Sequence, residues 1–222
     1  FQIGGKTAHI AEVAPETGLF ENARVLVAEH LNDPHTAVLD WLIWHMDRHG
    51  AQAALIVDRS DTPDAFAAEL AKAIAAEPRL ASLQRVLIVD IDHPLGRPDE
   101  GPACHPFFLP DAPGKDRMER PAPDPRTSRL GFSLLYDLLR VRYLARARAV
   151  ARLDTIDLAV LGPRGQTLFD ALEDQVEAVL NLRGERVYPW SVRDPVVSFG
   201  DHICGRFDGY DRNKSWAAIP VR

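Results

Sequence analysis

The chain has 222 residues, a net charge of −6 and a pI near 5.7, and this acidic balance argues against the basic footprint that nucleic-acid binding needs. With 46% hydrophobic and 26% charged residues, it has the composition of an ordinary globular protein with a sizeable core. No run approaches about 18 apolar residues, which excludes a membrane-spanning helix as an expectation.

Residues 1–22 read as an irregular arm, broken by Gly4, Gly5, Pro15 and Gly18. They carry Lys6, Glu12 and Glu16 and no apolar leader core, and the only cysteines, Cys104 and Cys204, form no CxxC pair. The expectation is a cytoplasmic chain with reduced thiols. Residues 23–28 then form a short apolar run, the pattern of a strand buried on both faces of a parallel sheet. After the exit Glu29-His30-Leu31-Asn32, Asp33 is expected as an N-cap and Pro34 at the first helical position. The spacing predicts a helix over 34–49, closed by Gly50.

The unit repeats. A strand over 53–57 leads through Asp58-Arg59-Ser60-Asp61 to a capping Thr62, Pro63 and a helix with Phe66, Leu70 and Ile74 on one stripe. A third apolar run, 85–89, completes the recurrence. Strand, polar loop, capped helix, strand predicts an α/β protein with a mostly parallel central sheet and helices on both faces.

Residues 94–125 hold nine of the 17 prolines and are expected as a loop insertion or lid within one domain over 23–222. A helix is predicted over 128–150, with Leu134, Leu135, Leu138, Leu139 and Tyr143 buried. Its Arg140, Arg142, Arg146 and Arg148 are either phosphate ligands or a solvated face. A strand over 156–161, a Gly162-Pro163 turn, a helix over 166–175 and strands over 176–182 and 186–188 follow. The last forty residues read as strand or coil.

Ligands of doubly wound sheets bind outside the carboxyl ends of the strands. Glu29, Asn32, Asp58, Ser60, Asp61 and Asp90 are the nucleotide-binding candidates there, carboxylates suiting ribose hydroxyls and amides a base. The competing reading is that they cap helices and shape turns. Glycine-rich dinucleotide and P-loop motifs are absent, as are the hydrolase elbow and the zincin pair, which disfavours those chemistries. Asp90-Ile91-Asp92 is formally a D-x-D whose carboxylates share one side of an extended segment. Asp154 and Asp157 face opposite sides of an extended segment and meet on one ion only in a turn, with His202, beside Asp201, able to complete a hard-cation set.

Five segments, in order, resemble bacterial family-2-like glycosyltransferases of the GT-A fold, in the alphaproteobacterial branch related to family 92. They are His30-Leu31-Asn32-Asp33-Pro34, Leu39-Asp40-Trp41-Leu42-Ile43-Trp44-His45, Val57-Asp58-Arg59-Ser60-Asp61-Thr62, Leu153-Asp154-Thr155-Ile156-Asp157-Leu158 and Gln166-Thr167-Leu168-Phe169-Asp170-Ala171-Leu172. The likeness covers roughly 23–93 and 128–182 and is carried by the order of the parts. It implies a GT-A-like fold with a Rossmann-like nucleotide-binding half, a nucleotide-diphosphate sugar as donor and a glycan or hydroxyl acceptor. It also implies a divalent metal, Mn²⁺ or Mg²⁺, at Asp154 and Asp157 with His202. The family's motif is similar to Leu-Asp-x-Asp-Glu-Phe. Here Ile156 stands at the second aspartate, Asp157 at the glutamate and Leu158 at the phenylalanine, so the D-x-D is broken. Two functions follow as expectations: a glycosyltransferase, or an inactive GT-A-like module that binds a protein partner or a second copy of the chain.

Overall fold

The computed structural model describes residues 2–3, 6–7, 13–91, 93–99, 101–102, 107, 114–126, 132–184, 187–189, 199, 202–204 and 213–220. The three apolar runs form β1 (Arg24–His30), β2 (Ala53–Asp58) and β3 (Arg85–Asp90). With β4 (Ala149–Arg152), β5 (Val179–Arg183) and β6 (Asn213–Ala218) they build one six-stranded sheet in the order β3-β2-β1-β4-β6-β5. β1 pairs parallel with β2 and β4, and β2 with β3, whereas β6 runs antiparallel to both of its neighbours. β1 and β2 are buried almost throughout because neighbours and helices cover them on every side, and β3, at the edge, is half-exposed.

Strand side chains alternate between faces, so each strand feeds two cores. Leu26, Ala28, Ala54 and Ile56 meet α1 (His35–His49) and α2 (Pro63–Ala76) through Trp41, Leu42, Phe66 and Leu70. Val25, Val27, Leu55 and Val57 meet α3 (Phe132–Leu139) and its π-turn continuation, Arg140–Leu144, through Leu135, Leu139, Tyr143 and Leu144. On the first face α4 (Leu168–Glu173) adds Phe169 and Leu172. The chain is therefore α/β, with a mostly parallel sheet and helices on both faces. Among the described residues no helix is long and apolar enough to cross a membrane.

Several sequence expectations are corrected. The helix placed over 128–150 ends at Leu144, and its buried stripe is Leu135, Leu139 and Tyr143, while Leu134 and Leu138 stand in solvent, 67% and 59% exposed. The strand placed over 156–161 is β4 instead, at 149–152. Ala149-Val150-Ala151-Arg152 has weak strand propensity, but central pairing with β1 and β6 overrides it. The arm at 1–22 is not irregular to its end, since Thr17–Phe20 forms a 3₁₀ turn whose Phe20 is buried in the second core. Asp33 and Thr62 precede helices without capping them through their side chains. Gly50 does close α1 in the left-handed region.

Residues 156–161 need no ladder because α1 satisfies their backbone. Ala159 donates its N–H to His45 Nε2 at 3.1 Å, and its carbonyl accepts from Trp44 Nε1 at 2.7 Å and His49 Nε2 at 2.9 Å. His45 Nδ1 in turn donates to the Trp41 carbonyl at 2.8 Å, and His49 Nδ1 accepts from Leu168 N–H at 3.0 Å. Both rings are buried and neutral in this clasp, and burial lowers both pKa values, that of His45 to about 4.

Candidate functional site

Strand order reverses between β1 and β4, and it is outside the carboxyl ends of such strands that α/β sheets bind ligands. The loops leaving β1 and β4 are tied together there. Thr155, 2% exposed, donates its hydroxyl to Asp33 Oδ2 at 2.6 Å, across 122 residues of chain. Asp33 lies one residue before the N-cap position of α1, which Pro34 occupies, and its side chain serves this contact instead.

The β2 exit supplies the first half of the site. Asp58 is fully buried, and its Oδ1 accepts from Ser60 N–H at 2.9 Å and faces His30 Nδ1 at 2.9 Å. His30 Nε2 donates to the Asp33 carbonyl at 2.8 Å, so a proton lies between Nδ1 and the Asp58 carboxylate. The ring is fixed further by stacking on Phe66, with centroids 3.6 Å apart. Asp58 Oδ2 and Ser60 Oγ are buried with no hydrogen-bond partner, so both retain capacity for a ligand or a water. Beside them the buried Arg59 donates from Nη1 to Glu29 Oε1 at 2.8 Å.

Among its described residues the proline-rich stretch has a 3₁₀ turn at Lys115–Arg117, and just past its end Arg126 reaches this exit. Its guanidinium donates to the Ser60 carbonyl at 2.7 Å, to the Arg59 carbonyl at 3.2 Å and to Asp61 Oδ1 at 3.2 Å. Arg126 thus latches onto the backbone of the β2 exit, beside Asp58 and Ser60.

The β4 exit supplies the second half. Asp157 N–H donates to the Asp154 carbonyl at 2.9 Å, so residues 154–157 form the turn that convergence of the two carboxylates requires. Ile156, at the crest of the turn, is 59% exposed. Arg152 donates from Nε to Tyr136 Oη at 3.0 Å and from Nη2 to Asp154 Oδ1. Burial opposes the Arg152 charge, but Tyr136, Asp154 and Asp157 around it leave its pKa above the ordinary arginine value. The Tyr136 phenol is itself pushed up by burial. The Tyr136 ring meets Trp216 edge-on at 5.7 Å, and the two line a cleft of about 120 Å³ with Val27, Val150, Asp137 and Arg140. A wider surface hollow of about 440 Å³, lined by Pro163, Arg164, Gly165 and Gln166, is made by the turn before α4. That helix binds Arg24, at the amino-terminal end of β1, through Asp170 and Glu173.

Of the sequence-derived candidates, the structure gathers Glu29, Asp58, Ser60 and Asp61 at the β2 exit, with Asp90 in register beside Asp58 at the end of β3. Asn32 is exposed on the loop after β1, and Asp154 and Asp157 share their turn after β4. His202 begins a short strand paired with Tyr188–Pro189, and its side chain lies outside the described residues, as do Asp92, Cys104 and Asp201. Sequence reasoning passed over three functional-edge residues. Arg152 had a signal, since i and i+2 on a strand share a face and place it with Asp154. Thr155 and Arg126 had none, because their partners are distant in sequence.

No protein-family model matches this chain, and no curated protein matches it.

The metal that the resemblance implies can be weighed against the side chains present. Among the described residues no three His, Cys, Asp or Glu gather into a metal-holding group. Asp154 already accepts from a guanidinium, and Ile156 brings no oxygen to the turn. A hard divalent cation can be held by one or two carboxylates together with water and a ligand's phosphates, but here the Asp154 oxygen is occupied by the Arg152 guanidinium, and the His202 side chain that would complete the set lies outside the described residues.

Proposed function

We propose that this chain is a GT-A-like glycosyltransferase domain, binding a nucleotide-diphosphate sugar outside the exits of β1, β2 and β4 and passing the sugar to a glycan or other hydroxyl acceptor. The observation that carries the reading is the position of the Asp154–Asp157 turn. The segment that resembles the family's aspartate motif leaves β4 directly beside the β1 exit, where strand order reverses. The β2 exit supports the nucleoside half, because Asp58 Oδ2 accepts, and Ser60 Oγ donates or accepts, from a ribose hydroxyl. Both are covered in this conformation, so entry requires release of the Arg126 latch, which makes the proline-rich segment a lid. Closing it again over the donor expels water and favours transfer over hydrolysis.

Calorimetric titration with UDP and GDP tests the reading. Saturable binding of one of them is expected, weakened about tenfold by Ser60→Ala, a loss of roughly 1.4 kcal/mol. Absence of saturable binding by either, with or without Mn²⁺, sinks it.

A second reading, an inactive GT-A-like module with a binding role, is favoured by the Arg152–Asp154 pair, which engages one motif carboxylate internally. It predicts that Asp154→Ala leaves the cellular role intact. Loss of that role in a normally folded variant counts against it.

A further inference from the structure

We propose that Arg152 is the resident cation of this site, so that ligand binding where strand order reverses needs no divalent metal. Arg152 is the last residue of β4, and Asp154, two positions on, falls on the same side of the extended chain. Its guanidinium is anchored from behind by Tyr136 Oη, and Tyr136 is held edge-on by Trp216, the register partner of Arg152 on β6. From that anchorage it donates to Asp154, while the turn brings Asp157 back toward the same charge. The side chains of Arg152 and Asp154 are only 8% and 13% exposed, so water screens their attraction weakly.

Two consequences follow for a dication. The Asp154 oxygen that would ligate it is already taken by an N–H donor. The fixed positive charge of Arg152 also cancels one of the two carboxylates and repels a second cation at short range. A dication entering the turn must therefore displace the guanidinium from Asp154 or share that oxygen with it, and either weakens its hold. Arginine, by contrast, suits a phosphate by shape and charge and needs no loading step.

The claim about the ligand rests on the nucleotide-sugar reading, whereas the claim about the cation stands on Arg152 alone, and the experiment separates them. The whole 222-residue chain is titrated with Mn²⁺, following free Mn²⁺ by electron paramagnetic resonance, and then with UDP in Mn²⁺ and in EDTA. The wild-type protein is expected to take up no Mn²⁺ tighter than about 1 mM, and to bind UDP equally, within about twofold, in both media. Arg152→Met, which keeps an unbranched stem of the length that reaches Nε and removes the charge, is expected to gain a Mn²⁺ site at least about tenfold tighter than any in the wild type. Asp154→Asn in that background abolishes the gain, and Arg152→Lys, which keeps the charge, shows none. A wild-type Mn²⁺ site lost in Asp154→Asn overturns the proposal, as does a folded Arg152→Met that gains no site. The wild-type and Arg152→Lys titrations decide the matter if the methionine variant does not fold. Failure of UDP to bind in either medium overturns the nucleotide reading, and the Mn²⁺ titrations still decide the role of Arg152.

Discussion

Arg59→Met is expected to lower unfolding stability by about 3–5 kcal/mol, the range found when one partner of a buried ion pair is removed. Glu29, next to last on β1, is paired with Val57, and Arg59, two positions beyond Val57, reaches back to it. Their side chains are 6% and 0% exposed and meet at 2.8 Å. Without the guanidinium the Glu29 carboxylate loses a charged donor in a poorly solvated interior, and that loss dominates. Glu29→Gln together with Arg59→Met removes both charges and should recover part of it, which a double-mutant cycle measures. Urea unfolding is the readout, with the midpoint falling and the m-value unchanged. A shift of the Arg59→Met midpoint corresponding to less than about 1 kcal/mol would mean that the pair is solvated.

Acidification from pH 7 to pH 5 is expected to remove about 2 kcal/mol of stability through His45 alone. The His45 pKa falls from 6.5 to about 4 on folding because burial disfavours the charged ring. In the folded state Nδ1 donates to the Trp41 carbonyl and Nε2 accepts from Ala159, so a second proton would set Nε2–H against an N–H donor. The unfolded chain therefore takes up the proton first as pH falls. The contribution is fully present above pH 6.5 and disappears as pH drops toward 4. His49 shifts in the same direction, also because of burial, and adds to the slope. Asp170 and Glu173, whose pKa values are lowered chiefly by bonds from Thr167 and Arg24 respectively, act the same way at still lower pH. Thermal unfolding between pH 7 and 5 measures the effect, and His45→Gln should flatten the slope between pH 6.5 and 5. A wild-type melting temperature that stays level over that range contradicts the clasp.

The first three strands and first two helices were legible because each carries its own local signal. Continuous apolar runs gave β1 to β3, and Pro63 and Gly50 marked the start of α2 and the end of α1. β4 was not legible, since a four-residue Ala-Val-Ala-Arg segment following spaced arginines looks like the end of a helix. Only its pairing with β1 and β6 makes it a strand. The insertion of β6 between β4 and β5 left no trace in the sequence either, because it is a long-range pairing.

The candidate site divides along the same line. Asp58 and Ser60 were found because a strand's carboxyl end is a local feature, and Asp154 because its spacing to Asp157 and its likeness to a family motif are local too. Nothing near Asp33 points to Thr155, and nothing near Ser60 points to Arg126, so the links that join the exits depend on the fold. The Asp154–Asp157 pair shows both limits at once. Its spacing called for a turn, which the structure has, and the two-residue offset to Arg152 held the sign of the local charge.

Hydrogen exchange with and without UDP tests the placement of the ligand site most directly. Slowed exchange is predicted at the amides of 31–33, 59–61 and 155–158, the exits of β1, β2 and β4, with the 163–166 turn unchanged. Protection confined to that turn, or to any surface away from the three exits, contradicts it.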